Sequence, residues 1–252
     1  VAPFNDLEST RTLIKENSAD LAAVIVEPLH RCLKPVDGFL SGLRKITKDL
    51  GIILIFDEVV TGFRLALGGA QEYYGVQPDL VAYGKALGGG FPIGAFGGSE
   101  EIMQGVNESR YSKLNYTWSA STTGGNPVSC AAAIATIKIL SEQQNFDKLH
   151  NLGREFRKQL TEILINEEKP FQVLGDGPLA QVVFTEQPVK NSRDWSAADR
   201  NKGHLLMLQL IKEGVFLNPM GTKMYLSLSH GIKEMEEFSD KFYSALKALR
   251  EA

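Results

Sequence analysis

Short apolar runs alternate with amphipathic stretches along the first half of the chain. Residues 21–28 (LAAVIVEP) and 52–57 (IILIFD) are apolar almost throughout, which is typical of strands buried on both faces of a sheet. Between them, residues 38–50 carry apolar side chains at helical spacing. Further strands are predicted at 79–84 and, rich in glycine, at 93–98. This strand–helix–strand alternation predicts an α/β fold with a mostly parallel sheet and right-handed crossovers.

The character of the sequence changes near residue 145. Upstream of it, Pro127 opens an alanine-rich helix predicted over 128–140. Downstream, the pattern predicts helices at 146–165, 197–213 and 232–252, and strands at 171–175, 180–186, 215–219 and 224–229. We therefore expect residues 1–143 to form part of a large domain, and residues 144–252 to form a small α+β domain.

Composition excludes several classes of protein. The net charge is −3 and no basic stripe is present, which argues against a nucleic-acid or anionic-membrane partner. No apolar run approaches the roughly 20 residues of a membrane helix. The two cysteines predict no disulfide framework and favour a reducing, cytoplasmic setting, and the four histidines show no metal-ligand spacing, so no metal site is expected. The chain begins at Val1 with neither a signal peptide nor an initiator methionine, so Val1 need not be the natural start.

One carboxylate and one amine follow two successive predicted strands. Asp57 ends the second apolar run, and Lys85 comes directly after the strand predicted at 79–84. In open α/β sheets this edge is where ligands bind, and burying either charge there is costly unless it is paired. A pyridinium nitrogen would pair with the carboxylate, and an aldehyde would react with the amine. The two residues together point to pyridoxal 5'-phosphate as cofactor.

Each candidate residue also has an ordinary structural interpretation. A strand-end Asp such as Asp57 often caps the next turn, and most lysines in glycine-rich turns are surface residues. It is the occurrence of Asp57 and Lys85 together that favours the cofactor. Val59 could pack on the face of a pyridine ring or simply lie in the core. The hydroxyls of Ser121, Thr122 and Thr123, beside a helix N-terminus, suit phosphate binding, although the same loop could serve only as a cap.

These residues stand in longer stretches that resemble a known family. The segments FDEVVTGFRLALGGAQEYYGVQPDL, YGKALGGGFPIGAFGG and STTGGNP are similar to the signature of the class III aminotransferases, which are fold-type I pyridoxal-phosphate enzymes. Within that family the sequence most resembles the glutamate-1-semialdehyde 2,1-aminomutase group. GVFLNP and YLSLSH, near the C-terminus, resemble its C-terminal domain, so the similarity covers essentially the whole chain.

The resemblance implies a role for each candidate residue. It implies Asp57 on the pyridine nitrogen, Val59 on the ring face and Lys85 as the Schiff-base lysine. It also implies a homodimer with a shared site, in which Thr122 reaches the cofactor phosphate held by the other subunit. The implied substrate is a small amino acid or amino aldehyde. For an aminomutase it would be glutamate 1-semialdehyde, converted to 5-aminolevulinate.

Departures from the family pattern leave alternatives open. The family's chain extends further upstream and there carries a Ser-Gly-x-Glu-Ala loop that cradles the phosphate, so residues 1–252 look like a C-terminal part with weak cofactor retention. Where the aminomutases usually carry a glutamate before Leu-Ser-x-x-His, this chain has Gly221, Thr222 and Lys223. The segment 31–39 also lacks the Gly-Asn pair that usually follows Val-Glu-Pro. An ordinary class III aminotransferase of another substrate therefore stays possible, as does a non-catalytic module.

Overall fold

The chain forms two compact units. The computed structural model describes residues 1–111, 116–165, 170–217 and 222–250. The first unit comprises Val1–Ala2, Asp6–Arg31 and Pro35–Gln143, and the second comprises Pro3–Asn5, Cys32–Lys34 and Gln144–Ala252. Most of the chain before Gln144 lies in the first unit and most of the chain after Gln143 lies in the second. That residues 1–143 and 144–252 are separate domains stays a prediction.

The first unit is built on a four-stranded sheet in the order β1-β2-β3-β4. Its main elements are α1 (Leu7–Glu16), β1 (Ala23–Val26), α2 (Phe39–Asp49), β2 (Ile53–Glu58), α3 (Ala70–Tyr73), β3 (Leu80–Tyr83), β4 (Ala95–Gly98), α4 (Glu100–Met103) and α5 (Pro127–Leu140). Short 3₁₀ turns cover Lys85–Gly88, Gln104–Val106 and Glu108–Arg110. β1, β2 and β3 are parallel, whereas β4 pairs antiparallel to β3. The predicted α/β architecture is confirmed, with a mixed sheet.

One face of β2 is fully buried, and the other is only partly covered. Leu54 and Phe56 of β2 are fully buried, and α2 packs on that strand with an apolar face that includes Leu43. Alternate residues of β2 point to the other face and are half-buried. At the start of β3, Asp79 fixes the strand pair, because its Oδ2 accepts the Leu54 N–H at 2.7 Å and lies 2.8 Å from Arg44 Nη1.

The prediction that residues 21–28 are buried on both faces is wrong. Ile25 of β1 is 65% exposed, and Phe96 of β4 is 51% exposed. Ile25 is paired with Ile55, and Phe96 with Ala82, on the half-covered face. A continuous apolar run shows that a strand can be buried on both faces. It does not show which other elements are present to cover those faces.

The second unit packs helices on a small antiparallel sheet in the order β5-β6-β7. Its elements are α6 (Gln143–Leu164), β5 (Gln172–Leu174), β6 (Leu179–Val183), α7 (Ser192–Ser196), α8 (Arg200–Lys212), β7 (Lys223–Tyr225) and α9 (Ile232–Arg250). Its main apolar cluster draws on the helices and the sheet, and includes Phe156, Leu160, Val182, Leu206, Leu210, Met224 and Phe242. This is the α+β composition that the sequence predicts.

Three predicted elements of the second unit differ in detail. The helix predicted at 197–213 begins later, because Asp199 caps α8 by accepting the Lys202 N–H at 2.8 Å. The strand predicted at 224–229 is only the three-residue β7. Residues 215–217 of the strand predicted at 215–219 are not in a strand, and its last two residues lie outside the described ranges, as does Gly221. Among the helices of the described ranges, none has both the length and the apolarity needed to cross a bilayer.

The two cysteines have very different surroundings. Cys32 belongs to the second unit, is buried, and lies with its sulfur 3.7 Å from the Ala180 carbonyl oxygen. Burial raises the pKa of the Cys32 thiol to about 12, although the nearby charges of Lys223 and Arg157 oppose the shift. Cys130, on α5, is half-buried. Since the thiolate is the reactive form, the two residues should differ in reactivity.

Alkylation of the native protein tests this difference. At about pH 8, iodoacetamide should modify Cys130 and leave Cys32 untouched, because a buried thiol with a raised pKa supplies almost no thiolate. Mass spectrometry of peptides would locate the label. Both cysteines should react in denaturant, which serves as the control. Equal labelling of the two cysteines in the native protein would contradict the described burial of Cys32.

Candidate active site

The register of β2 against β3 determines where the candidate residues lie. Asp57 is paired with Ala82, and Glu58 with Tyr83. The strands are parallel, so their carboxyl ends meet at one edge of the sheet. Lys85 begins its 3₁₀ turn two residues after the end of β3. The structure therefore brings Asp57 and Lys85 to the same sheet edge, on neighbouring strands.

Asp57 is half-buried and uses only part of its hydrogen-bonding capacity. Its Oδ1 accepts the backbone N–H of Val59 at 3.1 Å. Its Oδ2 has no hydrogen-bond partner among the described residues. The contact with Val59 orients the carboxylate, which leaves one oxygen available for a ligand.

Lys85 is exposed and has an unusual backbone conformation. Its φ is +44°, in the left-handed region that side chains other than glycine rarely adopt. Such a conformation costs about 1–2 kcal/mol. Its amine makes no hydrogen bond or ion pair within the described part of the chain. An amine without a described partner, on a strained turn at the carboxyl edge of the sheet, can react with an aldehyde to bind it covalently.

Val59 and two glycines shape the surroundings of Lys85. A Cβ added to Gly84 would lie 3.5 Å from Cγ1 of Val59, so the half-buried valine sits beside the backbone that leads into Lys85. After the turn, Gly89 has φ +55° and packs so closely on α5 that a Cβ would overlap Oγ1 of Thr136. Gly89 thus allows the Lys85 turn to rest directly on α5.

Thr122 stands apart from the other three candidates. It is exposed, in a turn that precedes α5, and none of the described contacts joins it to Asp57, Val59 or Lys85. The cap of α5 is Asn126, whose Oδ1 accepts the Ser129 N–H at 2.9 Å. Because Asn126 caps the helix, the Thr122 hydroxyl is not used for capping.

Glu58 is the important residue that sequence reasoning missed. It is fully buried, yet its carboxylate accepts three hydrogen bonds, from Thr61 Oγ1 at 3.0 Å, Ala70 N at 2.5 Å and Gln71 N at 2.9 Å. Burial raises the pKa of Glu58, and these hydrogen bonds oppose the shift. The signal was present in the sequence, because Glu58 continues the alternation of buried positions set by Leu54 and Phe56.

Gln71 carries these contacts across to β3. Its side-chain Nε2 donates to the Tyr83 hydroxyl at 2.5 Å. Burial, together with the negative charge of Glu58, raises the pKa of Tyr83. The Phe63 ring lies against the same tyrosine, with centroids 5.3 Å apart. The chain between β2 and α3 is thereby fixed to both strands, on the face opposite Asp57.

Gly69 makes the approach to Glu58 possible, and its replacement tests the arrangement. Gly69 has φ +80°, and a Cβ there would overlap the Glu58 carboxylate, whereas Gly75 has φ +65° and open space around it. Gly75→Ala should lower the free energy of unfolding by about 1 kcal/mol through backbone strain alone. Gly69→Ala should lower it by about 1–3 kcal/mol more, because a Cβ would overlap the Glu58 carboxylate and because φ +80° with ψ −157° is a conformation that only glycine adopts readily. Urea unfolding measures both, and equal losses would contradict the described contact.

Comparison with known proteins places the fold in a family. The class-III aminotransferase sequence profile matches residues 3–246, and the chain belongs to that family. It is 39% identical over 249 residues to glutamate-1-semialdehyde 2,1-aminomutase 2 of Brevibacillus brevis, covering 97% of this chain and 57% of that protein. The chain thus spans little more than half the length of this curated relative.

Solved structures agree with this assignment. An omega-transaminase from Sphaerobacter thermophilus superposes with a TM-score of 0.90 at 36% identity, over 98% of this chain and 56% of that one. A transaminase with PLP bound superposes with a TM-score of 0.86 at 26% identity, over 99% and 57% of the two chains. The predicted fold-type I pyridoxal-phosphate transferase architecture is confirmed. In the described ranges, no three His, Cys, Asp or Glu side chains are grouped as a metal site would require.

Proposed function

We propose that this chain carries the cofactor-binding sheet edge of a pyridoxal-phosphate-dependent enzyme that transfers amino groups. The observation that supports it is the arrangement of Asp57 and Lys85 at one edge, each with a functional group that has no described partner. These residues fit the cofactor, because it presents a basic ring nitrogen and an aldehyde. Membership of the class-III family supports the same cofactor.

Each candidate residue has a distinct task in this proposal. Asp57 would hold the protonated ring nitrogen through Oδ2, with the Val59 N–H keeping the carboxylate in place. The Val59 side chain would lie against the ring. Lys85 would bind the aldehyde through Nζ and, once released, would hold and deliver the proton at the substrate α-carbon. The bound cofactor supplies an electron sink for the carbanion at that carbon.

The substrate we propose is glutamate 1-semialdehyde, converted to 5-aminolevulinate. The 39% identity to an aminomutase supports it. An ordinary class III transaminase acting on another substrate is the second candidate, supported by the 36% identity to an omega-transaminase. Thr222 and Lys223, which replace the glutamate usual in aminomutases, are buried, and the Thr222 hydroxyl donates to the Val182 carbonyl.

We further propose a cytoplasmic homodimer in which Thr122 contacts the cofactor phosphate held by the other subunit. Thr122 is exposed and makes no described contact with Asp57 or Lys85 of its own chain. The following helix, α5, is apolar on all sides and leaves Val128, Ile134 and Ile139 more than half exposed, as helices at subunit interfaces often do. A small amino-acid or amino-aldehyde substrate is the only other partner that this proposal requires.

Reductive trapping tests the proposed cofactor site. When the chain is incubated with pyridoxal phosphate and reduced with borohydride, the label should concentrate on Lys85, and Lys85→Ala should abolish it. Asp57→Asn should weaken binding by about tenfold or more, because a hydrogen bond to a charged group is lost. The matched control is Asp49→Asn, which changes an exposed aspartate of α2 paired with Lys45. Label spread evenly over surface lysines would exclude this site.

Turnover without a second substrate separates the two candidate reactions. An aminomutase regenerates its own amino donor form, so glutamate 1-semialdehyde alone should yield many molecules of 5-aminolevulinate per site. A transaminase would exchange at most one amino group per site with the semialdehyde and would then need a second substrate, so 5-aminolevulinate would not accumulate. Quantifying 5-aminolevulinate over time distinguishes them. The absence of 5-aminolevulinate with or without an added amino donor would exclude the aminomutase, and a non-catalytic module would in addition transfer no amino group from any donor tested.

A further inference from the structure

The carboxylate next to Asp57 points to the opposite face of the sheet. Glu58 follows Asp57 in β2, and side chains alternate along a strand, so one acid faces the half-covered side and the other faces the fully buried side. Glu58 has no exposed surface. A buried carboxylate is costly and persists where several donors satisfy it. The proposed reaction does not use this residue, so its presence there calls for a separate physical explanation.

All three hydrogen bonds of Glu58 go to the chain that follows Asp57. Thr61 and the backbone N–H groups of Ala70 and Gln71 converge on its two oxygens. The loop between Val59 and Gly69 is therefore closed back onto the strand from which it departs. Val59, whose N–H holds Asp57 Oδ1, is the first residue of that loop. Fixing the loop at its far end restrains the donor that orients Asp57.

The same contacts extend to the strand that leads into Lys85. Tyr83 is paired with Glu58 in the sheet, and its hydroxyl accepts a hydrogen bond from Gln71 Nε2. Gly62, in the loop, lies so close to this tyrosine that an added Cβ would be 2.5 Å from its Cδ1. Tyr83 is separated from Lys85 by Gly84 alone. Hydrogen bonds through Gln71 thus connect the carboxyl ends of β2 and β3 on the face of the sheet opposite Asp57.

We propose that Glu58, Gln71 and Tyr83, together the Glu58 bracket, position the Asp57 carboxylate for cofactor binding. This inference rests on the proposed function of Asp57. Glu58 and Tyr83 lie on the face of the sheet opposite Asp57, so the bracket acts on the cofactor site indirectly. Its effect passes through the loop to the Val59 N–H, which donates to Asp57 Oδ1.

A purely structural role for the bracket would have a different signature. It would lower stability, and it would weaken cofactor binding equally whether or not residue 57 is an aspartate. A positioning role acts through the Asp57 carboxylate, so its effect disappears when that carboxylate is removed. A double-mutant cycle between residues 57 and 58 measures this difference directly.

The experiment compares bracket variants with matched controls in the full chain. Glu58→Gln and Tyr83→Phe disturb the bracket. Glu72→Gln is the control for the acid, because Glu72 accepts the Gly68 N–H at 2.6 Å within the same loop without reaching β3. Tyr73→Phe, at an exposed tyrosine of α3, is the control for the hydroxyl. The readouts are the dissociation constant of pyridoxal phosphate from its visible absorbance and the melting temperature without cofactor.

The expected results are specific. Each bracket variant should weaken pyridoxal phosphate binding by about tenfold, the loss expected when the charged hydrogen bond that Asp57 would make to the ring nitrogen is misaligned. The two controls should stay within about twofold. In the Asp57→Asn background, Glu58→Gln should change binding by less than about twofold. An equal loss in both backgrounds, or no loss from either bracket variant, would overturn the proposal. If Glu58→Gln does not fold, the double-mutant cycle between Tyr83→Phe and Asp57→Asn tests the proposal by the same criterion.

A cofactor-free readout separates this inference from the proposed function. If the unaltered chain takes up no pyridoxal phosphate at Lys85, the proposed function fails for this chain. Hydrogen exchange at the Val59 amide then tests the bracket alone. Exchange should be faster in Glu58→Gln and Tyr83→Phe than in Glu72→Gln and Tyr73→Phe. Equal protection of the Val59 amide in all four variants would refute the bracket.

Discussion

The parallel pairing of β2 with β3 is the constraint on which the candidate site depends. It sets Asp57 beside Ala82 and Glu58 beside Tyr83. A slip of one residue in a strand exchanges its two faces, which would turn Asp57 into the core and bring Glu58 to the ligand side. Asp79 opposes such a slip at the other end of the pair, since it binds both the Leu54 N–H and Arg44. The acid at the start of β3 thereby protects the geometry of the acid at the end of β2.

The adjacent carboxylates of Asp57 and Glu58 have opposite surroundings. Glu58 is fully buried, and its three hydrogen bonds to the following chain involve both of its oxygens. Asp57 is half-buried and keeps one oxygen without a described partner. The first is suited to rigidity and the second to a ligand. Environment alone separates their roles, as the alternation of a strand requires.

The sequence was sufficient to predict which residues lie at the carboxyl edge of the sheet. It was insufficient to predict the burial of the outer strands or the hydrogen bonds of Glu58. Asp57 and Lys85 could be placed because each ends or follows a short apolar run, and the carboxyl ends of such runs converge in parallel sheets. The exposure of Ile25 was missed because burial depends on neighbours that a single strand does not specify. The antiparallel direction of β4 has the same cause, since it depends on how the chain turns after Lys85.

The contacts of Glu58 were missed for a different reason. Two of the three come from backbone N–H groups up to thirteen positions away, and every residue except proline carries such a group, so no side-chain pattern marks them. They also depend on the positive φ of Gly69, which the presence of a glycine in the sequence allows but does not predict. For Thr122, in contrast, the sequence indicated the residue but not its position. Its separation from Asp57, Val59 and Lys85 depends on the path of the chain before α5.

The left-handed backbone at Lys85 has a consequence for how this chain can change over generations. Glycine would adopt that φ without strain, so the lysine is kept at a cost in stability. Selection must act against this cost for as long as an amine is needed at that edge. In a lineage that no longer required an amine there, replacement of Lys85 by glycine would relieve the backbone strain. Retention of lysine at position 85 in descendants of this sequence would therefore indicate that an amine is still needed at this edge.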